Sequence, residues 1–434
     1  MKHRIGIRIE DKNIWERRVP LVPPDMERLI QRHRMSFLVQ PSSIRTYADE
    51  EFVAAGALLT EDLSEADVIL AVKEVPAELL LPDRAYLFFA HVVKGQSYNM
   101  PLLQALLDKK ITLIDYEKIE DEQGRRLVFF GRQAGQAGMI ETLHALGQRF
   151  ELERRNTPFA EVRQAYQYDG LDDAMKRISD LGDRIREGLP EELCPLVMGF
   201  AGYGNVSLGA QDVFDTLPHK EISPGQLESL FEGKARRDCV YKVVFREEDM
   251  VEPAGDHDFE LQDYYQHPEK YRGVFSRYLP RLTALVNCIF WTPDYPRLAS
   301  REDALRLQKS GAPLRVIGDI SCDIEGSIEF TSKATEPDVP CFTYDALQDQ
   351  WDDGVQKTGI AVMAVDILPS EIPKDSSEHF SRTLKNYLPE LSLADFRQPL
   401  DKLELSPDLK RAIITHRGQL TPDYQYLSEF LEQK

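Results

Sequence analysis

The sequence predicts an α/β protein with two doubly wound domains, and three observations support this fold class. Short apolar runs alternate with amphipathic runs along the 434 residues, as in parallel sheets flanked by helices. The apolar run Leu196–Phe200 ends in a glycine-rich turn before a helical pattern, which is the order of a dinucleotide-binding element. The residues before it already make an α/β unit. We therefore expect two Rossmann-like domains, with residues 136–339 binding the dinucleotide and inserted into a domain of residues 1–135 and 340–434.

Composition and charge argue against several classes of partner and site. The chain has 53 basic and 73 acidic residues and a net charge of -20, which argues against nucleic acid and anionic membranes as partners. Five scattered cysteines without a C-x-x-C pair, and nine separated histidines, predict no metal site. No apolar run approaches the roughly 18 residues of a membrane span. Met1–Arg4 leads directly into a strand-like run, so we expect no leader and a cytoplasmic location.

Short apolar runs mark the strands of the first domain. Asp67–Val72 and Ala85–Ala90 are short enough to be buried parallel strands, and each ends next to an ionisable residue, Lys73 or His91. Ligands of open α/β sheets lie at these carboxyl ends. The other predicted elements are the strands Ile5–Ile9, Ser36–Gln40, Ile111–Asp115 and Val128–Gly131, and the helices Pro23–Arg32, Met100–Lys109 and Ala134–Arg149, whose small first residues favour close packing.

The glycine-rich turn has the chemistry of a phosphate-binding loop. Gly202 and Gly204 allow a tight turn and a close approach to a pyrophosphate. The helix that follows would direct its free N–H groups and positive dipole end at the anion. The third glycine of the pattern is replaced by Ser207, so Gly209 would supply close helix–strand packing, and an ordinary strand–turn–helix is the alternative interpretation. The expected cofactor contacts here are Gly202, Tyr203, Gly204, Asn205 and Val206.

The second strand of a dinucleotide fold predicts which cofactor is used. Lys220–Ile222 is interpreted as this strand, and Ser223 stands at its end. A serine carries no charge to repel a ribose 2′-phosphate, so we expect NADPH, with NADH as the alternative if Glu221 reaches the ribose instead. The remaining predicted elements are the helices Leu171–Glu187, Pro224–Glu232, Pro268–Arg281, Asp375–Tyr387 and Pro422–Glu432, and the strands Cys239–Phe245, Ala284–Trp291 and Leu314–Ile320.

The order of short motifs resembles a known family over nearly the whole chain. These motifs are Glu16–Val19, Val72–Glu74, Phe89–His91, Gln123–Arg126, Gly131–Gly138, Gly202–Ala210, Asp319–Asp323 and Gly326–Phe330. The chain is similar to the alanine dehydrogenase and lysine-forming saccharopine dehydrogenase superfamily, above all to its lysine-ketoglutarate reductases. The resemblance implies reductive condensation of L-lysine with 2-oxoglutarate to saccharopine, with a nicotinamide cofactor. No saccharopine-cleaving half follows, so a separate saccharopine-cleaving dehydrogenase is the expected partner.

The resemblance also assigns roles to single residues. Lys73 and His91 are the expected acid/base pair, because imine formation and water loss both need proton transfer. Arg18 is the expected carboxylate clamp, Glu16 would orient Arg18 or Lys73, and Arg126 is a second clamp. Asp319 is expected beside the nicotinamide, with a turn-capping aspartate as the alternative. The other expected substrate contacts are Glu74, Lys94, Gln96 and Glu117.

Two other functions stay open from the sequence. A binding module that senses a dinucleotide or an amino acid could keep this fold without catalysis, but the persistence of both the acid/base pair and the clamps favours an enzyme. Within the enzymes, an alanine dehydrogenase-like amino-acid dehydrogenase is the alternative, and the Ser321–Asp323 run favours the saccharopine branch.

Overall fold

The computed structural model describes residues 4–255 and 257–431. Two compact units divide the chain, Met1–Phe130 with Pro373–Lys434 as unit 1 and Gly131–Ile372 as unit 2. Met1–His3, from which the absence of a leader was expected, and Glu432, the predicted end of the last helix, lie outside the described residues. No helix within the described ranges combines the length and apolar character of a membrane span.

The strands are, in chain order, β1 Arg4–Ile7, β2 Ser36–Val39, β3 Leu58–Leu59, β4 Val68–Leu70, β5 Ala85–Phe88, β6 Thr112–Asp115, β7 Val197–Ala201, β8 His219–Glu221, β9 Val240–Phe245, β10 Val251–Pro253, β11 Tyr271–Gly273, β12 Ala284–Asn287, β13 Val316–Asp319, β14 Cys341–Asp345, β15 Gln350–Asp353, β16 Ile360–Met363, β17 Ile413–His416 and β18 Gln419–Leu420.

The α-helices are α1 Pro23–His33, α2 Asp49–Ala54, α3 Met100–Asp108, α4 Gly131–Leu152, α5 Leu171–Glu187, α6 Asn205–Phe214, α7 Leu227–Glu232, α8 Glu247–Met250, α9 Leu261–Gln266, α10 Arg301–Ser310, α11 Pro373–Leu384, α12 Leu388–Leu391, α13 Pro407–Arg411 and α14 Ser428–Leu431.

Unit 1 contains a sheet in the order β18-β17-β6-β5-β4-β1-β2-β3. The six strands β1 to β6 are parallel, and β17 and β18 extend the sheet antiparallel. Side chains of β4 alternate between two cores, because Val68 and Leu70 pack with Phe380 of α11 while Ile69 packs with Leu103 of α3. Helices on both faces thus bury a parallel sheet, as the apolar runs predicted.

Unit 2 contains the second sheet, in the order β15-β14-β16-β13-β12-β7-β9-β8. The strand beside β7 is β9, with Ala201 of β7 paired to Phe245 of β9, and β8 pairs with β9 alone. The predicted short strand at Lys220–Ile222 is present as β8, but it is not the neighbour of the glycine-rich strand. The longer and mostly apolar β9 takes the buried position, and the short, polar β8 forms the edge.

The chain returns to unit 1 at Pro373, later than the expected residue 340. The reason is hydrogen bonding, because β16 pairs parallel with β13 and antiparallel with β14, which adds residues 341–363 to the sheet of unit 2. Unit 2 also begins at Gly131 rather than at residue 136, since Gly131 is already the first residue of α4.

Two predicted elements have different structures. The expected strand Val128–Gly131 is absent, because residues 128–130 form a loop and Gly131 already begins α4. The expected helix Pro268–Arg281 consists of short 3-10 turns around β11, which pairs antiparallel with β10. Pro280 lies inside the expected helix, where it cannot donate a backbone hydrogen bond.

Helix α4 packs against α6 without room for larger residues. A Cβ at Gly135 of α4 would overlap the carbonyl oxygen of Val206, and a Cβ at Gly209 of α6 would overlap that of Arg132. The small residues thus allow two helix backbones to touch, as predicted for α4. For Gly209 the close partner is this helix and not the strand that the sequence suggested.

Candidate active site

The polar residues at the carboxyl ends of β1, β4, β5 and β6 form the candidate site of unit 1. Arg18 donates from Nε and Nη2 to the two carboxylate oxygens of Glu16, at 2.7 and 2.5 Å, and both side chains are buried. Burial lowers the pKa of the nearby Lys73, the positive charge of Arg18 lowers it further, and Glu16 opposes this shift. Although burial would raise the pKa of Glu16, the Arg18 guanidinium keeps it below its usual range. Lys73 is thus brought closer to a neutral amine than an exposed lysine.

His91 lies between two carboxylates. Its Nε2 is 3.8 Å from Oε1 of Glu74, and its Nδ1 is 3.7 Å from Oε2 of Glu117. The contact with His91 is the main cause that lowers the pKa of Glu117 to about 2, with burial opposing it and Arg126 adding to it. The imidazole thus lies within reach of two carboxylates, while the ring stays 39% exposed and open to a substrate.

The two predicted carboxylate clamps differ in access. Arg18 is 3% exposed, its fork is taken by Glu16, and its guanidinium lies over the ring of Phe130 at 4.4 Å. Arg126 is 52% exposed and donates from one Nη to Glu117 at 2.5 Å, so its other N–H groups are more accessible. The adjacent arginines Arg17 and Arg125 bind the carbonyl of Ile44 and the carboxylate of Asp121 at the surface.

Lys94 and Gln96 stand apart from this network. Both are exposed, and Gln96 accepts a hydrogen bond from the hydroxyl of Tyr98 at 2.8 Å. Within the part of the chain that the structure describes, neither side chain bonds to Lys73, His91 or Glu117. The structure therefore groups Glu16, Arg18, Lys73, Glu74, His91, Glu117 and Arg126, and leaves these two residues at the rim.

Two buried carboxylates that the sequence reasoning missed hold the backbone of this site. Glu10 accepts the N–H groups of Val72 and Lys73 at 2.6 and 3.0 Å, and Asp115 accepts those of Ala90 and Glu117 at 3.3 and 2.9 Å. Burial is the main cause that raises the pKa of each to about 7. Both lie at or just past a strand end, the same signal that identified Lys73 and His91.

The candidate cofactor site is the glycine-rich turn between β7 and α6. Gly202 has φ +90°, and its N–H donates to the carbonyl of Phe245 at 3.0 Å. No atom lies within 4 Å of the position that a Cβ on Gly204 would take, so the turn is open where a pyrophosphate would approach. The first N–H groups of α6, from Asn205 and Val206, have no partner inside a helix. The turn thus fits the phosphates of a dinucleotide.

Asp319 and Asn287 end the neighbouring strands β13 and β12. Asp319 is 1% exposed and accepts hydrogen bonds from Asn287 at 2.8 Å and Thr331 at 2.6 Å. Burial is the main cause that raises the pKa of Asp319 to about 6. Both carboxylate oxygens of Asp319 are engaged within unit 2, in an arrangement that would keep the strand ends in place.

Ser223 is separated from the glycine-rich turn by one strand of the sheet. It is exposed, follows the edge strand β8, and bonds to Gln226. Ser223 follows the second strand in chain order, as predicted, but β9 lies between that strand and β7. Among the described residues, no group of three or more His, Cys, Asp or Glu side chains could hold a metal ion.

Comparison with known proteins finds similar chains and one matching domain family. Residues 6–137 match the family described as "Alanine dehydrogenase/PNT, N-terminal domain". "Alpha-aminoadipic semialdehyde synthase" of Arabidopsis thaliana is 40% identical over 441 residues, which cover 98% of this chain and 41% of that protein. The chain thus spans less than half the length of this relative. "Saccharopine dehydrogenase [NAD(+), L-lysine-forming]" of Yarrowia lipolytica is 27% identical and covers 90% of this chain and 93% of its own length.

A solved structure matches the fold over nearly the whole chain. The structure named "L-alanine dehydrogenase" superposes with a TM-score of 0.63 at 16% identity and covers 99% of both chains. At this identity the likeness concerns the fold, which is the two-unit α/β architecture described above. The chain is thus similar over nearly its whole length to lysine-forming saccharopine dehydrogenases, and its residues 6–137 match the alanine dehydrogenase/PNT N-terminal domain.

Proposed function

We propose that this chain is a lysine-ketoglutarate reductase, an oxidoreductase that condenses L-lysine with 2-oxoglutarate and reduces the product to saccharopine. The observation that carries the proposal is the network of unit 1, in which a partly buried lysine and a histidine are each flanked by an acid–arginine pair. The names of the relatives support the same chemistry, since one is a lysine-forming saccharopine dehydrogenase.

Lys73 and His91 perform the proton transfers in this proposal. The ε-amine of the substrate must lose a proton before it attacks the keto carbon, and Lys73 accepts it because its lowered pKa makes the neutral amine accessible. The carbinolamine hydroxyl must then gain a proton to leave as water, and His91 donates it from its place between Glu74 and Glu117. The products of these steps are the protonated imine and one water molecule.

Arg126 is the first candidate to bind a substrate carboxylate. Its half-exposed guanidinium has N–H groups free for a bidentate contact, and Glu117 fixes its position. Arg18 has a different main role in this proposal, because it is buried and paired with Glu16. Its charge lowers the pKa of Lys73, and its remaining Nη1 is available to a substrate group. Lys94 and Gln96 are proposed contacts at the rim.

Unit 2 binds the cofactor in this proposal, with the pyrophosphate on Gly202, Tyr203, Gly204 and the first residues of α6. The bound cofactor supplies the hydride that reduces the imine. NADPH is proposed as the preferred form, with NADH as the alternative. The carboxylate of Asp319 accepts hydrogen bonds from Asn287 and Thr331 and would thereby hold the strand ends in place beside this site.

The test is a spectrophotometric assay of cofactor oxidation with one amine donor and one keto acid at a time. Oxidation that requires both L-lysine and 2-oxoglutarate is the expected result, and Lys73→Met should remove it. Lys402→Met, an exposed lysine of the same unit, is the matched control. Turnover with pyruvate and ammonia but not with lysine would move the assignment to an alanine dehydrogenase. Absence of turnover with every pair would favour a binding module.

A further inference from the structure

The glycine-rich turn lies next to the end of β9. In the parallel pairing of β7 with β9, Ala201 stands opposite Phe245, and Gly202 donates its N–H to the carbonyl of Phe245 at 3.0 Å. The first residue past β7 is therefore beside the first residue past β9, which is Arg246. Ser223 follows β8, which lies one strand further from β7, or about 4.8 Å more.

Arg246 contacts the turn directly. Its guanidinium carbon lies 4.7 Å from the centre of the Tyr203 ring, and Tyr203 is the residue between the two glycines. Arg246 is exposed, and in the described ranges no carboxylate oxygen lies within 4.0 Å of its side-chain nitrogens. Its charge is thus held at the turn by an aromatic ring and is available to an anion.

The residue that ends the strand beside the glycine-rich strand faces the adenosine ribose in a dinucleotide fold. We propose that Arg246, held against Tyr203, binds the 2′-phosphate of NADPH and that Ser223 does not contact it. A planar guanidinium can donate two parallel hydrogen bonds to a phosphate, which an isolated serine cannot. The proposal rests on the dinucleotide site of the proposed function and names the residue that selects its cofactor.

Two of the three acidic residues after Arg246 make hydrogen bonds with their neighbours. Glu247 accepts a hydrogen bond from the hydroxyl of Tyr265 at 2.7 Å, and Asp249 accepts the backbone N–H of Arg246 at 2.9 Å in the first turn of α8. Glu247 is the group that would repel a 2′-phosphate if it turned toward the ribose. Its contact with Tyr265 holds the carboxylate beside a tyrosine hydroxyl, and the guanidinium of Arg246 is the group of this segment that can bind the phosphate.

The experiment measures the binding of two cofactor fragments by isothermal titration calorimetry, without turnover. The fragments are 2′,5′-ADP, which carries the 2′-phosphate, and 5′-AMP, which lacks it. The wild type should bind 2′,5′-ADP about 10- to 100-fold more tightly, the range of a charged hydrogen-bonded pair. Arg246→Ala should remove this difference, and Arg246→Lys should retain part of it.

Two controls separate the site from general charge. Arg177→Ala makes the same charge change on exposed α5, where the arginine pairs with Asp173, and should leave the affinity ratio unchanged. Ser223→Asp should also leave it unchanged. The proposal would be overturned if the wild type showed no preference for 2′,5′-ADP, or if Arg246→Ala left the affinity ratio unchanged. It would also be overturned if Ser223→Asp reduced the ratio as strongly as Arg246→Ala does. Because no lysine or keto acid is present, this result is independent of whether the chain catalyses the proposed reaction.

Discussion

The Nδ1 atom of His91 lies 3.7 Å from Oε2 of Glu117, and Arg126 binds the other oxygen of that carboxylate. This arrangement joins the end of β5 to the end of β6 through one charged group. Asp115 reinforces it, because its carboxylate accepts the backbone N–H groups of Ala90 and Glu117. The imidazole is therefore fixed in orientation on a rigid sheet edge, as a proton-transfer group requires.

His91→Gln should lower kcat by about two to four orders of magnitude, the usual contribution of an acid/base group. Glutamine fills a similar volume but cannot transfer a proton at the reacting atoms. The measurement is the pH profile of kcat for the wild type and the variant. His33→Gln, at the exposed end of α1, is the matched control and should behave like the wild type. An unchanged kcat and pH profile in His91→Gln would remove the assigned role.

Arg126→Ala should raise the KM for 2-oxoglutarate by about 10- to 100-fold, the range of a hydrogen-bonded charged pair. The physical reason is the loss of the accessible guanidinium next to Glu117. Arg125→Ala offers a close control, since Arg125 is the preceding residue and binds Asp121 at the surface. Steady-state kinetics with 2-oxoglutarate varied at saturating lysine make the comparison. Equal KM values for the two variants would contradict the assignment.

Gly204→Ala should weaken cofactor binding, whereas Gly209→Ala should lower stability, although both change the same motif. At Gly204 a Cβ meets open space and φ is -76°, so the melting temperature should stay unchanged while dinucleotide binding weakens. At Gly209 a Cβ overlaps the carbonyl oxygen of Arg132, so the protein should lose stability. Thermal unfolding and a cofactor titration of each variant test this difference. A destabilised Gly204→Ala with normal cofactor affinity would show that the turn has a structural role.

The buried pair Glu141 and Glu371 of unit 2 should make stability depend on pH. Burial is the main cause that raises the pKa of Glu141 to about 7, and burial and Glu141 raise that of Glu371 well above its usual range. The folded state therefore holds protons that the unfolded state releases. The stabilisation is full below the unfolded pKa of about 4.5, and it is lost as the pH rises from there through the folded value of about 7.

Glu371→Gln should accordingly reduce the fall of the melting temperature between pH 5 and pH 8. Each unit of a raised pKa corresponds to roughly 1.4 kcal/mol, or about 3–5 °C for a domain of this size. Glutamine stays neutral over the whole range, so the effect of that carboxyl disappears. Glu302→Gln, on the exposed face of α10, is the control. If the melting temperature of Glu371→Gln fell as much as that of the wild type between pH 5 and pH 8, Glu371 would not be the source of this pH dependence.

The sequence by itself determined the elements whose signal is local. Apolar runs specified β4 and β5, Pro23 marked the start of α1, and the glycine turn preceded a helix at Asn205, because these signals act between residues close in the chain. The same logic identified Lys73 and His91 as polar residues past strand ends. Applied to the ends of β1 and β6, it would also have found Glu10 and Asp115.

Only the tertiary structure decided which strands are neighbours. In chain order β8 is the next strand after β7, but long-range hydrogen bonds place β9 beside β7 and β8 at the edge. Burial explains the choice, since the apolar β9 fits a covered position and the polar β8 does not. The residue beside the glycine turn is consequently Arg246 and not Ser223. Pairing across distant segments depends on the burial of whole faces, which no local pattern encodes.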